Sequence, residues 1–191
     1  MPLPMTHAFV AIAGAIAVAR RPVPWRLIAA GGVAAMLPDL DALTHHFFGV
    51  ARDSIYAHRG LAHSLFMAIV VGMIAAGFHE HLQVRRWVAG LAVGLATASH
   101  GVLDMMTDTG RAVAYWWPFT AARYFAIWRP IHIVIEDREE LLNPDNLRFM
   151  TEIREVVVPM MLAAMVIRIL FPPRAALDRQ DDGAVKDFAP R

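Results

Sequence analysis

Apolar residues run through this chain in five blocks, separated by short polar or proline-bearing connections. The first covers roughly 5–19 and ends at Arg20, Arg21 and Pro22; the second, "RLIAAGGVAAML" at 26–37, stops at Pro38. The third covers 61–78, the fourth 87–106 and the fifth 156–171. A helix needs about 20 apolar residues to cross a bilayer, within a range of about 17–25. The third and fourth blocks are long enough. The other three predict helices that are tilted, partly embedded or packed inside a bundle. Small residues are dense in the blocks, from Ala11 to Ala17 and at Gly31, Gly32, Gly90 and Gly94, as close helix contact in lipid favours. The pattern predicts an all-α fold, a multi-pass helical membrane bundle.

The pattern breaks between the fourth and fifth blocks. Residues 107–155 are charged, aromatic and punctuated by proline, which predicts a folded extramembrane excursion with one or two helices and an interfacial segment near "YWWPF". From Pro172 onward, "PPRAALDRQDDGAVKDFAPR" is polar and expected to be disordered. One integral-membrane helical domain over 1–171 and a polar tail over 172–191 are therefore expected.

Composition changes the picture in three ways. Hydrophobic residues make up 57% and charged residues 18% of 191, with a mean hydropathy of +0.43. A soluble domain has about 45–50% apolar and about 25% charged residues, so the excess needs a non-aqueous environment, and the lipid bilayer is the expected partner. A soluble helical protein with these blocks as core helices is the alternative. The net charge of +1 argues against a nucleic-acid partner, which calls for a basic surplus. The absence of cysteine excludes disulfides and thiolate metal sites. The N-terminus has no basic region ahead of its apolar run, so it reads as a retained first span instead of a signal peptide.

Arginine placement sets the expected orientation. Arg20, Arg21 and Arg26 lie in one short connection, Arg85 and Arg86 in another, and Arg174, Arg179 and Lys186 in the tail. The 44–60 connection holds only Arg52 and Arg59. The positive-inside rule puts the first group in the cytoplasm and the N-terminus outside. The six arginines of 107–155 sit in a long loop, which constrains topology less.

On that topology the unusual polar residues collect on one face. His7 opens the first block; Asp39 and Asp41 in "PDLD" close the second; His58 and His63 in "YAHRGLAHS" open the third; His100 and Asp104 in "SHGVLD" end the fourth. His100 and Asp104 are four apart and project from one helical face. Asp39 and Asp41 follow a proline where a helix must end, and Gly60 lets the chain bend so that His58 and His63 converge. Imidazole and carboxylate without thiolate suit a divalent ion, zinc before manganese or iron. Ionisable groups at membrane depth default to a functional reading. Singly, each piece has a plainer explanation: an N-terminal polar residue for His7, a helix-stop turn for "PDLD", an interfacial side chain for Arg59. His45, His46, His79 and His81 read as interfacial or loop histidines. The joint occurrence makes the case for a metal site.

The segments "MTHAFV", "LPDLD", "HRGLAHS", "SHGVLDMMTDTG" and "WWPF" resemble, in order and spacing, the membrane-bound metal-dependent hydrolase family of the bacterial inner membrane. The likeness covers residues 6 to about 119, close to three fifths of the chain. Ala62 departs from the family pattern, where threonine is expected. More distantly, the order His, Asp, His, His-x3-Asp is similar to the all-helical superfamily of zinc-dependent phospholipase C and single-strand nucleases, which implies a helical core of that kind. His132 and Glu136 repeat the His-x3-acid spacing and would mimic a further metal-binding pair.

The resemblance implies a hydrolase. His7, Asp39, Asp41, His58, His63, His100 and Asp104 would hold the metal, and Arg59 would hold an anionic substrate group, as guanidinium does for phosphate. Metal-bound water would be the nucleophile, with Asp41 as proton acceptor. A site on the external, periplasmic face at the lipid–water boundary favours an amphiphilic or phosphate-containing substrate. The rival class is a metal or proton transporter, or a metal-binding membrane protein without activity. A relay would spread its ionisable groups through the bundle, and a structural metal clip would need only a closed four-ligand site.

Overall fold

The computed structural model describes residues 3–19, 22–108, 110–132 and 147–172. Among these residues all regular structure is helical, and extended pairing is limited to two isolated bridges, Thr107 with Ile131 and Val113 with Tyr124. The polar tail beyond Pro172, Glu136 and the topology-setting Arg20 and Arg21 lie outside the described residues.

Helix α1 (Pro4–Val18) begins on a proline, tolerated in the first turn because its missing N–H would have no partner there. Its start is fastened by a residue far away in sequence. The Glu152 carboxylate accepts the Leu3 N–H at 2.7 Å and the Thr6 hydroxyl at 2.6 Å, supplying an anion to the unsatisfied amides and positive dipole of a helix start.

Helix α2 (Trp25–Met36) was expected to stop at Pro38. Instead, the chain continues through a 3-10 turn, Leu37–Asp41, into α3 (Ala42–Phe48), which ends at Gly49 with φ of 62°. The proline occupies the start of that turn, where no backbone donor is needed. As a result Trp25–His45, 21 residues long, is apolar enough to cross a membrane.

The third block behaves in the opposite way. Ser64 caps α4 (Leu65–Gly77), its hydroxyl accepting the Met67 N–H at 3.1 Å, so only 13 of the block's residues are α-helical. They rise about 20 Å, short of a hydrocarbon core of about 30 Å. By length alone the expectation is therefore reversed: the second block meets the measure for crossing a bilayer, and the third falls short of it. The other helix long enough is α5 (Arg86–Met105, 20 residues). After the 107–132 excursion, α6 (Leu147–Glu152) continues through a π-helical turn, Ile153–Val157, into α7 (Val158–Leu170).

Helix α5 is central, packing against α1, α2 and α4, while α7 packs on α1. Absent side chains set these contacts. A Cβ on Gly72 of α4 would lie 2.7 Å from the Gly90 carbonyl of α5, and one on Gly32 of α2 would lie 3.2 Å from Ile12 of α1. Close backbone approach through small residues is how helices associate in lipid. The outward faces carry exposed Ile69, Met73, Leu91, Leu95, Met161 and Ile169, an apolar exterior suited to hydrocarbon. Arg26 donates to the His81 carbonyl and Arg168 to that of Ala19, so these basic residues gather at one end. The seven candidate ligands sit at the other.

Candidate metal centre

Four helix ends and two turns meet at that end. His7 lies in the first turns of α1, Asp39 and Asp41 in the 3-10 turn after α2, His63 in the turn Leu61–His63 before α4, and His100 and Asp104 in the last turns of α5. His58 precedes them in a tightly coiled loop. Within it Gly60 N–H donates to the Ala57 carbonyl and Leu61 N–H to that of Ile55. A Cβ at Gly60 would fall 2.0 Å from the Ile55 oxygen. Only glycine fits there.

The structure brings all seven side chains together. His100 Nε2 is 3.4 Å from Asp39 Oδ1 and 3.8 Å from Asp104 Oδ2. His63 Nε2 is 3.3 Å from Asp104 Oδ2 and 3.8 Å from Asp39 Oδ1, and its Nδ1 is 3.0 Å from Asp41 Oδ2. His58 Nδ1 shares a hydrogen bond of 2.7 Å with Asp41 Oδ1. Two sets of ligand atoms therefore lie close enough to hold an ion, Asp39 with His63, His100 and Asp104, and Asp41 with His58 and His63. His7 belongs to neither. It stacks on His100 with ring centroids 3.7 Å apart, its Nε2 3.9 Å from Asp104 Oδ1.

Two features show what the arrangement suits. First, the His100 Nδ1 lies 2.7 Å from the Ala35 carbonyl, so Nδ1 carries the hydrogen and Nε2 presents a lone pair to the cluster, as the outer hydrogen bond of a ligating histidine does. Second, nine buried nitrogen and oxygen atoms of His7, Asp39, Asp41, His63, His100 and Asp104 have no hydrogen-bond partner. Buried polar atoms are nearly always satisfied. The carboxylate–imidazole approaches here are ion pairs lying off the hydrogen-bond line, which is the disposition of donors aimed at a common centre. The Asp/His group can hold a metal ion.

Electrostatics agree. Burial opposes a charge on His63, but the close carboxylates of Asp104, Asp39 and Asp41 outweigh it and raise its pKa to about 10. Three acids thus compete for one imidazolium, and a divalent cation satisfies them better. The His58 side chain, 27% exposed, is the member of the seven that reaches the surface. Access is from its side. An apolar slot of about 480 Å³ runs along α4 and α5 from Leu65 to Trp87 and carries none of the seven residues.

Arg59 is not placed as its sequence neighbourhood suggests. Its φ of 65° is left-handed, unusual for a residue with a side chain, and it turns the guanidinium inward. Only 1% exposed, it pairs with Asp104 Oδ1 at 3.2 Å and donates to Thr107 Oγ1 and the Arg111 carbonyl. A guanidinium so buried and so fully engaged is set to orient Asp104 instead of meeting a substrate.

Sequence reasoning did not find three other residues. Thr107, buried, links Arg59 to the Asp104 carbonyl. Glu152 holds the start of α1, and so His7, in place. Arg123 clamps the loop bearing His58. Thr107, three residues after Asp104, was within reach of a helix-end reading. The other two act across 64 or more residues and leave no local signal. His132, expected to pair with Glu136, is exposed and contacts Glu155 at 3.3 Å.

The model of the YdjM inner membrane protein family matches residues 1–173, a stretch that includes every residue of the cluster. The chain belongs to this family. Within it, the chain is 37% identical over 139 residues to Inner membrane protein YbcI of Escherichia coli (strain K12), covering 70% of this chain and 77% of that protein. No solved structure matches. Family membership places the chain among inner membrane proteins, in keeping with its two candidate spans. In this member of the YdjM family, the buried Asp/His cluster is the group that could hold a metal ion.

Proposed function

We propose that this chain is a membrane-embedded metal-dependent hydrolase that cleaves a phosphoester or another ester at the membrane surface. It does so from a multi-pass helical bundle in the bacterial inner membrane, with its centre on the periplasmic face. The observation that carries the reading is that Asp39, His63, His100 and Asp104, all buried, bring ligand atoms within 4.8 Å of one another, most of them without a hydrogen-bond partner. Zinc suits these donors best, with manganese or iron as substitutes. The likeness to zinc-dependent phospholipases and nucleases supports the reaction class.

Asp39, His63, His100 and Asp104 would hold the ion, with Asp41 and His58 beside it. The ion, when bound, supplies Lewis acidity, polarising an ester oxygen and lowering the pKa of water toward neutrality. The protein's own part is orientation and proton handling. The Ala35 carbonyl fixes the His100 tautomer, and Arg59 and Thr107 fix Asp104. Asp41 accepts a proton at the site, and its bond to the part-exposed His58 gives that proton a path to water. The basic cluster of Arg26 and Arg168 at the opposite end supports a cytoplasmic position for that end.

Elemental analysis of purified protein, followed by a panel of phosphoesters, acyl esters and amides, tests the reading. Hydrolysis that is stopped by chelation and restored by metal is expected. Metal-replete protein that cleaves none of the panel removes the enzyme and leaves a metal carrier or transporter.

A further inference from the structure

The loop that carries His58 is gripped by arginines that have no acidic partner among the described residues. Arg123 donates through Nη1 to the carbonyls of Arg59 at 2.9 Å and His58 at 3.3 Å, and through Nη2 to that of Ser54 at 2.9 Å. Arg111 donates to the carbonyl of Arg52, and its own carbonyl accepts from Arg59. Arg52 contacts His45 Nε2 at 3.4 Å. Among the described residues, the only arginine within ion-pair distance of a carboxylate is Arg59, on Asp104.

Backbone carbonyls orient a guanidinium without neutralising it. Anchored on the carbonyls of Arg52 and Ser54, two residues apart, Arg111 and Arg123 keep their charges on one stretch of backbone. Burial and then Arg111 lower the Arg123 pKa, with Asp41 and Asp53 offsetting only part of this. The location is specific. Arg123 is partly buried, Arg111 is exposed, and both attach to the backbone around the one cluster residue that reaches the surface. Arg59, the anchor expected from sequence, has its donors turned inward. A planar guanidinium fork matches the oxygens of a phosphoryl group.

We propose that Arg111 and Arg123 form an anion subsite at the mouth of the centre, taking the non-bridging oxygens of a phosphoryl group beside His58. Resting on the hydrolase reading, this makes the substrate a phosphoester instead of a neutral carboxylic ester.

The test uses the full chain, purified in detergent and metal-loaded, with Arg111→Gln, Arg123→Lys and the double variant. Arg111 is exposed, so its replacement does not threaten folding; Arg123→Lys keeps the charge that faces Asp41 and Asp53 and removes the fork. Inorganic phosphate binding is measured by calorimetry. Competition is measured with micelles containing an anionic phospholipid, and turnover with a soluble aryl phosphodiester and a neutral aryl ester. Each lost charge-assisted bond weakens phosphate binding by roughly tenfold or more. KM for the phosphodiester rises by a similar factor, and by more than KM for the neutral ester, while the metal content of Arg111→Gln stays at the wild-type value.

Competition by free phosphate points to a soluble phosphoester, and competition by the phospholipid alone to a lipid headgroup. If neither ligand binds the wild type, or both bind all three variants equally, the subsite is overturned. The two readings fail separately. Phosphate binding lost in the variants, with no turnover of any ester by the wild type, keeps the subsite and removes the hydrolase. Neutral-ester hydrolysis indifferent to phosphate does the reverse.

Discussion

Stripping metal from the protein should cost much of its stability. Nine buried atoms at the centre lack hydrogen bonds; seven of them, all but the two of His7, belong to residues of the two ligand sets, and each such group costs about 1–3 kcal/mol. Together that is roughly 7–21 kcal/mol, comparable with or above the whole net stability of a domain, about 5–15 kcal/mol. The ion-pair approaches, from 3.0 Å between His63 and Asp41 to 3.8 Å between His63 and Asp39, recover part of this. If they recover half, about 3.5 kcal/mol remains even at the low end, worth roughly 7–14 °C in Tm for a chain of this size. Mass action gives the same scale, since a ligand at a thousandfold its Kd stabilises by about 4 kcal/mol. The assay is thermal unfolding in detergent after chelation, with zinc, manganese and iron(II) added back in turn and bound metal checked by elemental analysis. Metal-free protein that melts within about 2 °C of the loaded form refutes this, because the seven atoms of the ligand sets would then be satisfied some other way.

Asp104→Ala should lower bound metal and destabilise by about 3–5 kcal/mol, since it strands the buried Arg59 charge; Arg59→Met, which leaves Asp104 free for the ion, should keep more metal, and equal losses in the two would deny Arg59 a positioning role. His7→Phe keeps the stack on His100 and should retain near wild-type metal, whereas a large loss would make His7 a ligand outright. Reporter fusions after residues 50 and 82 should read external and cytoplasmic respectively; the inverse would put the centre on the cytoplasmic face.

The parts of the fold and the cluster legible in the sequence are those set by local rules. His100 and Asp104 share a helical face because they are four apart. The turn at "PDLD" follows from its proline, and Ser64 starts α4 as a serine cap does. Helix lengths were less legible because two residues acted against their usual reading. Pro38 slots into a 3-10 turn and lets the helical path run on to Phe48, while the Ser64 cap trims the third block to 13 residues. The contacts that hold the cluster from outside, Glu152 on Leu3 and Thr6 and Arg123 on the His58 loop, are long-range and depend on how helices pack.

Arg59 shows where sequence proximity misleads. It sits between two candidate ligands in "HRG", which invites a substrate role, yet its direction is decided by a left-handed backbone that no pattern of residue types announces for an arginine. The glycine after it is the nearest signal, and there the backbone is folded so tightly that a side chain would strike the Ile55 carbonyl. With Arg59 turned inward to Asp104, surface charge at the mouth falls to arginines from the 107–132 excursion, about fifty and more residues later. That bears on topology as well. Arg111 and Arg123 lie on the end that the positive-inside rule assigns to the periplasm, against its bias. If they are there to bind an anion, their placement reflects the site and not the direction of insertion. Orientation is then set by the short connections at the opposite end, where Arg26 is tied to the His81 carbonyl.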